Sequence, residues 1–235
     1  MAESYTIDLF TQEWVVNNLF SAAVVFSTLT LAKRAQATRV DQLLSFMSGV
    51  LFVSFIYENV FYIVNDNWTL QNNLPLHLCG ISSLICMFFP LIKNKKPWLE
   101  FVFYSGIIGG FQSLFTPQMN HYDGNPIMYL LYYVDHLSII IIPLIMYFHL
   151  KIELGLFSWL KALLWLNILA GLIMPLNFYL DANYMYLNRP PDVDNPFIIG
   201  QWPYYILNLE VVALLLFSGL FFGLRALFRT LNPKG

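Results

Sequence analysis

The chain has 235 residues, of which 58% are hydrophobic, 17% aromatic and only 11% charged, with a formal net charge of −2. About a quarter of the residues of an ordinary soluble domain are charged. So much apolar surface excludes a disordered chain, a disulfide scaffold and most soluble enzymes, and selects an integral membrane protein. The near-neutral balance also excludes a global basic field that would recruit nucleic acid.

Seven apolar stretches are long enough to span a bilayer: Trp14–Leu31, Leu43–Val64, Leu74–Ile92, Trp98–Phe115, Met128–Ile152, Phe157–Leu180 and Tyr204–Phe228. Backbone groups in lipid have no water partners, so these runs are expected to be helices. The expected fold is all-α, a polytopic membrane bundle of seven transmembrane helices forming one domain over 1–235. The first span is read as a membrane helix and not a cleavable signal, because no positive segment precedes it. The longest connection, Asp181–Pro203, is rich in Pro, Asn and Asp, and is expected to cap the bundle, stiffened by Pro190, Pro191 and Pro196.

Charge asymmetry gives an orientation. Lys33, Arg34 and Arg39 lie between spans one and two, and Lys93, Lys95 and Lys96 between three and four. Lys151 and Lys161 flank the turn between five and six, and Arg225, Arg229 and Lys234 follow or end span seven. The other side carries Arg189 with Glu3, Asp8, Glu13, Asp66, Asp123, Asp181, Asp192 and Asp194. The positive-inside rule therefore predicts an outside N-terminus and a cytoplasmic C-terminus, in the cell membrane.

Ionisable residues inside a membrane are expensive and mark function by default. His77 and Cys79 are expected roughly 5 and 8 Å below the outer edge of span three, at about 1.5 Å per residue. Asp135 and His136 in span five, Glu58 in span two and Glu210 in span seven fall about 9–12 Å deep on the same scale. Asn17, Asn18, Gln112 and Asn177 lie near the outer ends of their spans, where interhelical hydrogen bonding is their ordinary role. The inner half is almost wholly apolar, with Glu100, His149 and Lys161 close enough to the interface to snorkel. His121, in a loop, is read as solvated. The segregation predicts one polar cavity in the outer half. Cys79 and Cys86 are seven residues apart on one helix, too far along its axis for a disulfide, and Cys86 is read as a small core residue.

Three chemistries suit such a cavity. In the first, Cys79 is a nucleophile and His136 its base, with Glu210 or Glu58 orienting the imidazole and His77 lining the mouth. Asp135 is set apart from His136 by about 100° of helix rotation, so it faces the vestibule. The substrate of an intramembrane thiol would be a lipid ester. In the second, His77, His136, Glu58 and Glu210 bind zinc, although no histidine pair has i, i+3 or i, i+4 spacing. In the third, the cavity binds or transports a molecule without chemistry.

Four segments carry a resemblance: LPLHLCGISSL (74–84), LFTPQM (114–119), NYMYL (183–187) and GQWPYYILNLE (200–210). In this order they resemble the bacterial YwaF-like integral membrane family, related to the eukaryotic transmembrane protein 164 acyltransferases. The resemblance runs from the second span to Glu210. The eukaryotic branch transfers polyunsaturated acyl chains onto ether lysophospholipids, using a Cys in the third span and a His in the fifth. The resemblance thus implies a lipid acyltransferase or lipid hydrolase, and since no metal or nucleotide motif appears in the sequence, a cofactor-free enzyme is expected. Cys79 would be its nucleophile, His136 its general base, and membrane phospholipids and lysophospholipids its partners.

Overall fold

A computed structural model describes residues 4–119, 122–191 and 197–231, with side chains through 226. Glu3, His121, Asp192, Asp194, Pro196 and Lys234 lie outside the described residues, as does the side chain of Arg229. The described chain is helical, with α1 (Gln12–Arg34), α2 (Ala37–Val64), α3 (Leu78–Phe88), α4 (Lys96–Phe115), α5 (Pro126–Phe148), α6 (Ser158–Leu180) and α7 (Tyr204–Leu231). α1, α2, α5, α6 and α7 are long and apolar enough to cross a membrane. Large apolar side chains such as Phe20, Phe26, Phe46, Leu164, Leu172 and Leu215 stand exposed along four of these helices, as lipid-facing side chains must.

Local chemistry sets several helix ends. Thr11 caps α1 by accepting from the Trp14 N–H, with Glu13 in the first turn and Lys33 and Arg34 in the last, complementing the helix dipole. Asn125 caps α5 through the Ile127 N–H, and Pro126 occupies the first turn, where its missing N–H costs nothing.

α3 and α4 differ from the other five. The run expected to be helical from Leu74 is non-helical through His77: Leu76 N–H turns back on Leu74 O at 2.8 Å, His77 itself is extended (φ −68°, ψ 152°), and the helix begins at Leu78. Tertiary hydrogen bonds hold this non-helical stretch. Leu74 N–H donates to the Tyr184 hydroxyl at 2.9 Å, and Met185 N–H donates to His77 Nδ1 at 3.3 Å. The first α3 bond across the cap runs from Ile81 N–H to His77 O. Even with a 3₁₀ turn, Phe89–Leu91, appended, α3 is short.

α4 has the length but not the apolarity of a spanning segment, since it carries Lys96, Glu100, Gln112 and several serines and glycines. It lies at the centre of the fold, touching α1, α3, α5, α6 and α7, and every residue from Leu99 to Ile107 is buried. Two glycines, one helical turn apart, admit α5. A Cβ on Gly106 would stand 2.7 Å from Ile139 O, and one on Gly110 would stand 2.9 Å from His136 O. This is the small-residue spacing by which membrane helices approach backbone to backbone. Glu100, expected to snorkel, is buried. It accepts from Gly155 N–H at 2.8 Å and pairs with the exposed Lys161 at 3.6 Å, so it ties the α5–α6 connection to α4.

A short element absent from the sequence reading closes the bundle end that carries the α4–α5 connection. Tyr5–Thr6 (β1) pairs antiparallel with Gln118–Met119 (β2), and Ile7 N–H bonds Pro117 O. The Tyr5 hydroxyl donates to Glu13, so the N-terminal segment pins the α4–α5 connection.

Candidate active-site cavity

A cavity of about 500 Å³ lies among α2 to α7 and the α4–α5 and α6–α7 connections. Glu58, His77, Cys79, Asp135, His136 and Glu210 all line it. Its remaining wall is largely apolar, with Leu166, Ile206, Leu209, Ala213, Leu216 and Phe217 from α6 and α7. A second, smaller cavity of about 240 Å³ adjoins it, sharing Glu58, Tyr62, His77, Gly80, Ser83 and Asp135 as a common wall.

Cys79 is the second residue of α3, a consequence of the helix starting at Leu78. The first-turn N–H groups of a helix have no acceptor within it, and no side chain caps α3. Cys79 therefore sits beside free backbone donors and the positive end of the helix dipole. Its sulfur is 3.4 Å from Ser113 Oγ of α4, its hydrogen-bond partner among the described residues. A Cβ on Gly109 would stand 3.2 Å from that sulfur, so the glycine leaves the thiol its place.

His136 is fixed from its own helix. Its Nδ1 lies 2.6 Å from Tyr132 O, and the Tyr132 ring packs against the imidazole at 4.3 Å between centroids. A carbonyl has no proton to give, so Nδ1 carries the hydrogen and Nε2 keeps its lone pair. The carboxylate expected to orient this ring is therefore not its partner. Glu210 accepts from Asn167 at 2.9 Å, and Glu58 lines the cavity without a hydrogen bond to the imidazole. A backbone carbonyl four residues back performs the orientation. Asp135 projects from the next position, its Oδ1 buried without a hydrogen-bond partner among the described residues.

His77 has a second role besides lining the cavity. It precedes α3, accepts the Met185 N–H, and packs between Tyr184 and Tyr186. Met185 and Tyr186 both have left-handed φ, near 56° and 53°, which costs roughly 1–2 kcal/mol for each L-residue. Asn177 compensates by bonding both Tyr184 N–H and Tyr184 O at 2.9 Å. Thus part of the Asp181–Pro203 connection stands over the cavity, contributing Met185, Tyr186 and Leu187 to its wall. Asn17 and Asn18 bind helices together, Asn17 to Tyr129 and Tyr133 and Asn18 to Leu114 O. Gln112 lines the cavity. Among the described residues, no three His, Cys, Asp or Glu side chains converge as a metal-ligand set.

Sequence reasoning missed Ser113 and Tyr132. The available signals were the Gln112–Ser113 polar pair at the end of an apolar run, and an aromatic four residues before His136 on the same helix face.

The TMEM164 family matches residues 9–221. The chain belongs to the TMEM164 family. That match embraces all the cavity residues named above, and the exposed apolar helices make this family member a multi-pass membrane protein. Searches of curated proteins and of solved structures find no match.

Proposed function

We propose that this TMEM164-family protein is a membrane-embedded lipid acyltransferase or lipid hydrolase, acting on phospholipid acyl chains through Cys79 and His136. The observation that carries the reading is a thiol and an imidazole with a free Nε2 on one cavity, whose largely apolar lining suits an acyl chain. Family membership supports a lipid-bilayer setting. The protein is proposed to lie in the cell membrane with all seven helices inserted, its N-terminus outside, as a bacterial YwaF-like member. The short α3 and the buried α4 would then be held within the ring of lipid-facing helices.

In this mechanism the Cys79 proton passes to His136 Nε2 as sulfur bonds to the ester carbonyl carbon. The carbonyl electron pair moves to oxygen, which accepts hydrogen bonds from the Cys79 and Gly80 N–H groups at the start of α3. Collapse breaks the ester C–O bond, and His136 protonates the departing lysophospholipid oxygen. An acceptor hydroxyl, from a lysophospholipid or from water, then gives its proton to His136 and attacks the thioester. The Cys79 thiolate leaves and recovers the proton. Glu58, His77 and Asp135 form the polar wall facing the headgroup, with Glu210 at its border.

The test uses purified protein in liposomes containing an isotope-labelled phospholipid and a lysophospholipid, followed by lipid mass spectrometry. The expected result is label on the acceptor or in free fatty acid, lost in Cys79→Ala and in His136→Ala and unchanged by a zinc chelator. A second reading, a transporter or lipid-binding protein without catalysis, draws on the sulfur's hydrogen bond to Ser113 in place of the imidazole. Label that stays in place in every lipid mixture, with lipid retained by the purified protein, would favour it.

A further inference from the structure

Ser113 belongs to neither the sequence-based site nor the family resemblance, yet its hydroxyl is the polar side-chain group that meets the sulfur. Gly109 and Ser113 are one helical turn apart on α4. The glycine presents no side chain to the thiol, and the next turn presents a hydroxyl to it. α4 ends at Phe115, so the Ser113 carbonyl belongs to the last turn, where acceptors are left over. The Tyr132 hydroxyl donates to that carbonyl at 2.8 Å and itself accepts from Gln118 N–H at 3.3 Å. Tyr132 also supplies the carbonyl that holds His136. One tyrosine therefore fixes both the turn that carries Ser113 and the imidazole.

The direction of the Ser113–Cys79 hydrogen bond depends on the state of the sulfur. A thiol can donate or accept, whereas a thiolate only accepts, so the Ser113 hydroxyl must donate to it. A hydrogen bond to an ion is about twice as strong as its neutral counterpart. The contact thus strengthens as charge develops on sulfur, which is the kind of interaction that raises a rate and not merely affinity.

Resting on the reading of Cys79 as nucleophile, we propose that Ser113 is a further catalytic residue. Its hydroxyl donates to the Cys79 sulfur as the thiol gives up its proton to His136, and again to the thiolate that leaves when the thioester is cleaved, and Tyr132 is its positioning residue.

The test compares Ser113→Thr with Ser113→Val, two side chains of nearly equal shape that differ in the hydroxyl, with Ser113→Ala beside them. Two rates are read on protein in liposomes: iodoacetamide alkylation of Cys79, located by peptide mass spectrometry, and acyl transfer from labelled phospholipid. Cys86 is fully buried, so alkylation reports Cys79. Loss of a hydrogen bond to a charged group corresponds to roughly a tenfold to hundredfold effect. Ser113→Val and Ser113→Ala are expected to slow both rates by about tenfold or more, with KM unchanged. Ser113→Thr is expected to stay within about threefold of the parent, and Tyr132→Phe to fall between. Equal rates for the Thr and Val variants, or an Ala variant as fast as the parent in both assays, would overturn the role of Ser113 while leaving Cys79 chemistry standing. Full acyl transfer by Cys79→Ala would overturn the nucleophile itself and the catalytic role of Ser113 with it.

Discussion

α4 and α7 are both helices of a membrane protein, yet they meet opposite surroundings. α7 presents Leu207, Val211 and Leu215 outward, and little of its apolar length is buried. α4 is buried continuously from Leu99 to Ile107, and its Glu100 and Ser105 are paired by hydrogen bonds inside the protein. The difference teaches where information resides in this fold. The lipid-facing sides of helices need only apolar bulk. The central helix needs shape, because α5 approaches it at Gly106 and Gly110, and it needs polar partners such as Gly155 N–H for Glu100.

The widest contrast should come from Gly110→Val set against Leu215→Ala. Valine at 110 would force the α5 backbone at His136 O, for a loss of about 3 kcal/mol, whereas Leu215→Ala on the lipid face should cost less than about 0.5 kcal/mol. Thermal unfolding in detergent micelles measures both. Equal losses would erase the distinction between the two helices.

Next, Asn177→Leu leaves the buried Tyr184 N–H and carbonyl without their side-chain partner, at a cost of about 2 kcal/mol. It should also speed hydrogen exchange over residues 184–187 without affecting α4. Glu100→Leu strips Gly155 N–H of its acceptor and should cost about 1–2 kcal/mol, with proteolysis between α5 and α6 as the local readout.

The smallest effect belongs to the β1–β2 clip. Tyr5→Phe removes one hydrogen bond to Glu13, worth about 1 kcal/mol. That bond, with burial and the negative charge of Glu13, pushes the Tyr5 phenol up to about 12, against about 10 in an unfolded chain. A value raised by folding means the contribution is full below about pH 10 and is lost as pH rises through about 12. The stability difference between parent and Tyr5→Phe should therefore stay constant from neutrality to about pH 9.5 and shrink above it. A difference that changed between pH 6 and 8 would assign the clip to another group.

The candidate site was legible in part. The residue types Cys79, His136, Glu58, Asp135, His77 and Glu210 stand out because ionisable groups are rare in apolar runs, and the structure gathers all six on one cavity. Their partners were not legible. An imidazole accepts orientation from any well-placed acceptor, and sequence favours the conspicuous carboxylates Glu58 and Glu210. The acceptor present is a backbone carbonyl, which every residue possesses, so Tyr132 gave no compositional signal. Ser113 was hidden for a similar reason, since a serine near a helix end is ordinary until another helix brings a sulfur to it.

By itself the sequence determined that this chain is an all-helical membrane protein, because apolar bulk in runs of membrane length has few other stable arrangements. It also marked the chemically unusual residues, since a charge or thiol in such a run is visible without coordinates. Only tertiary structure decided where α3 begins, because its first four expected residues are held out of the helix by Tyr184 and Met185, more than 100 positions away. The same holds for the burial of α4, the β1–β2 clip and the partners of Cys79 and His136. Each depends on which backbone groups other segments bring within about 3 Å, and hydrophobic periodicity carries no record of that.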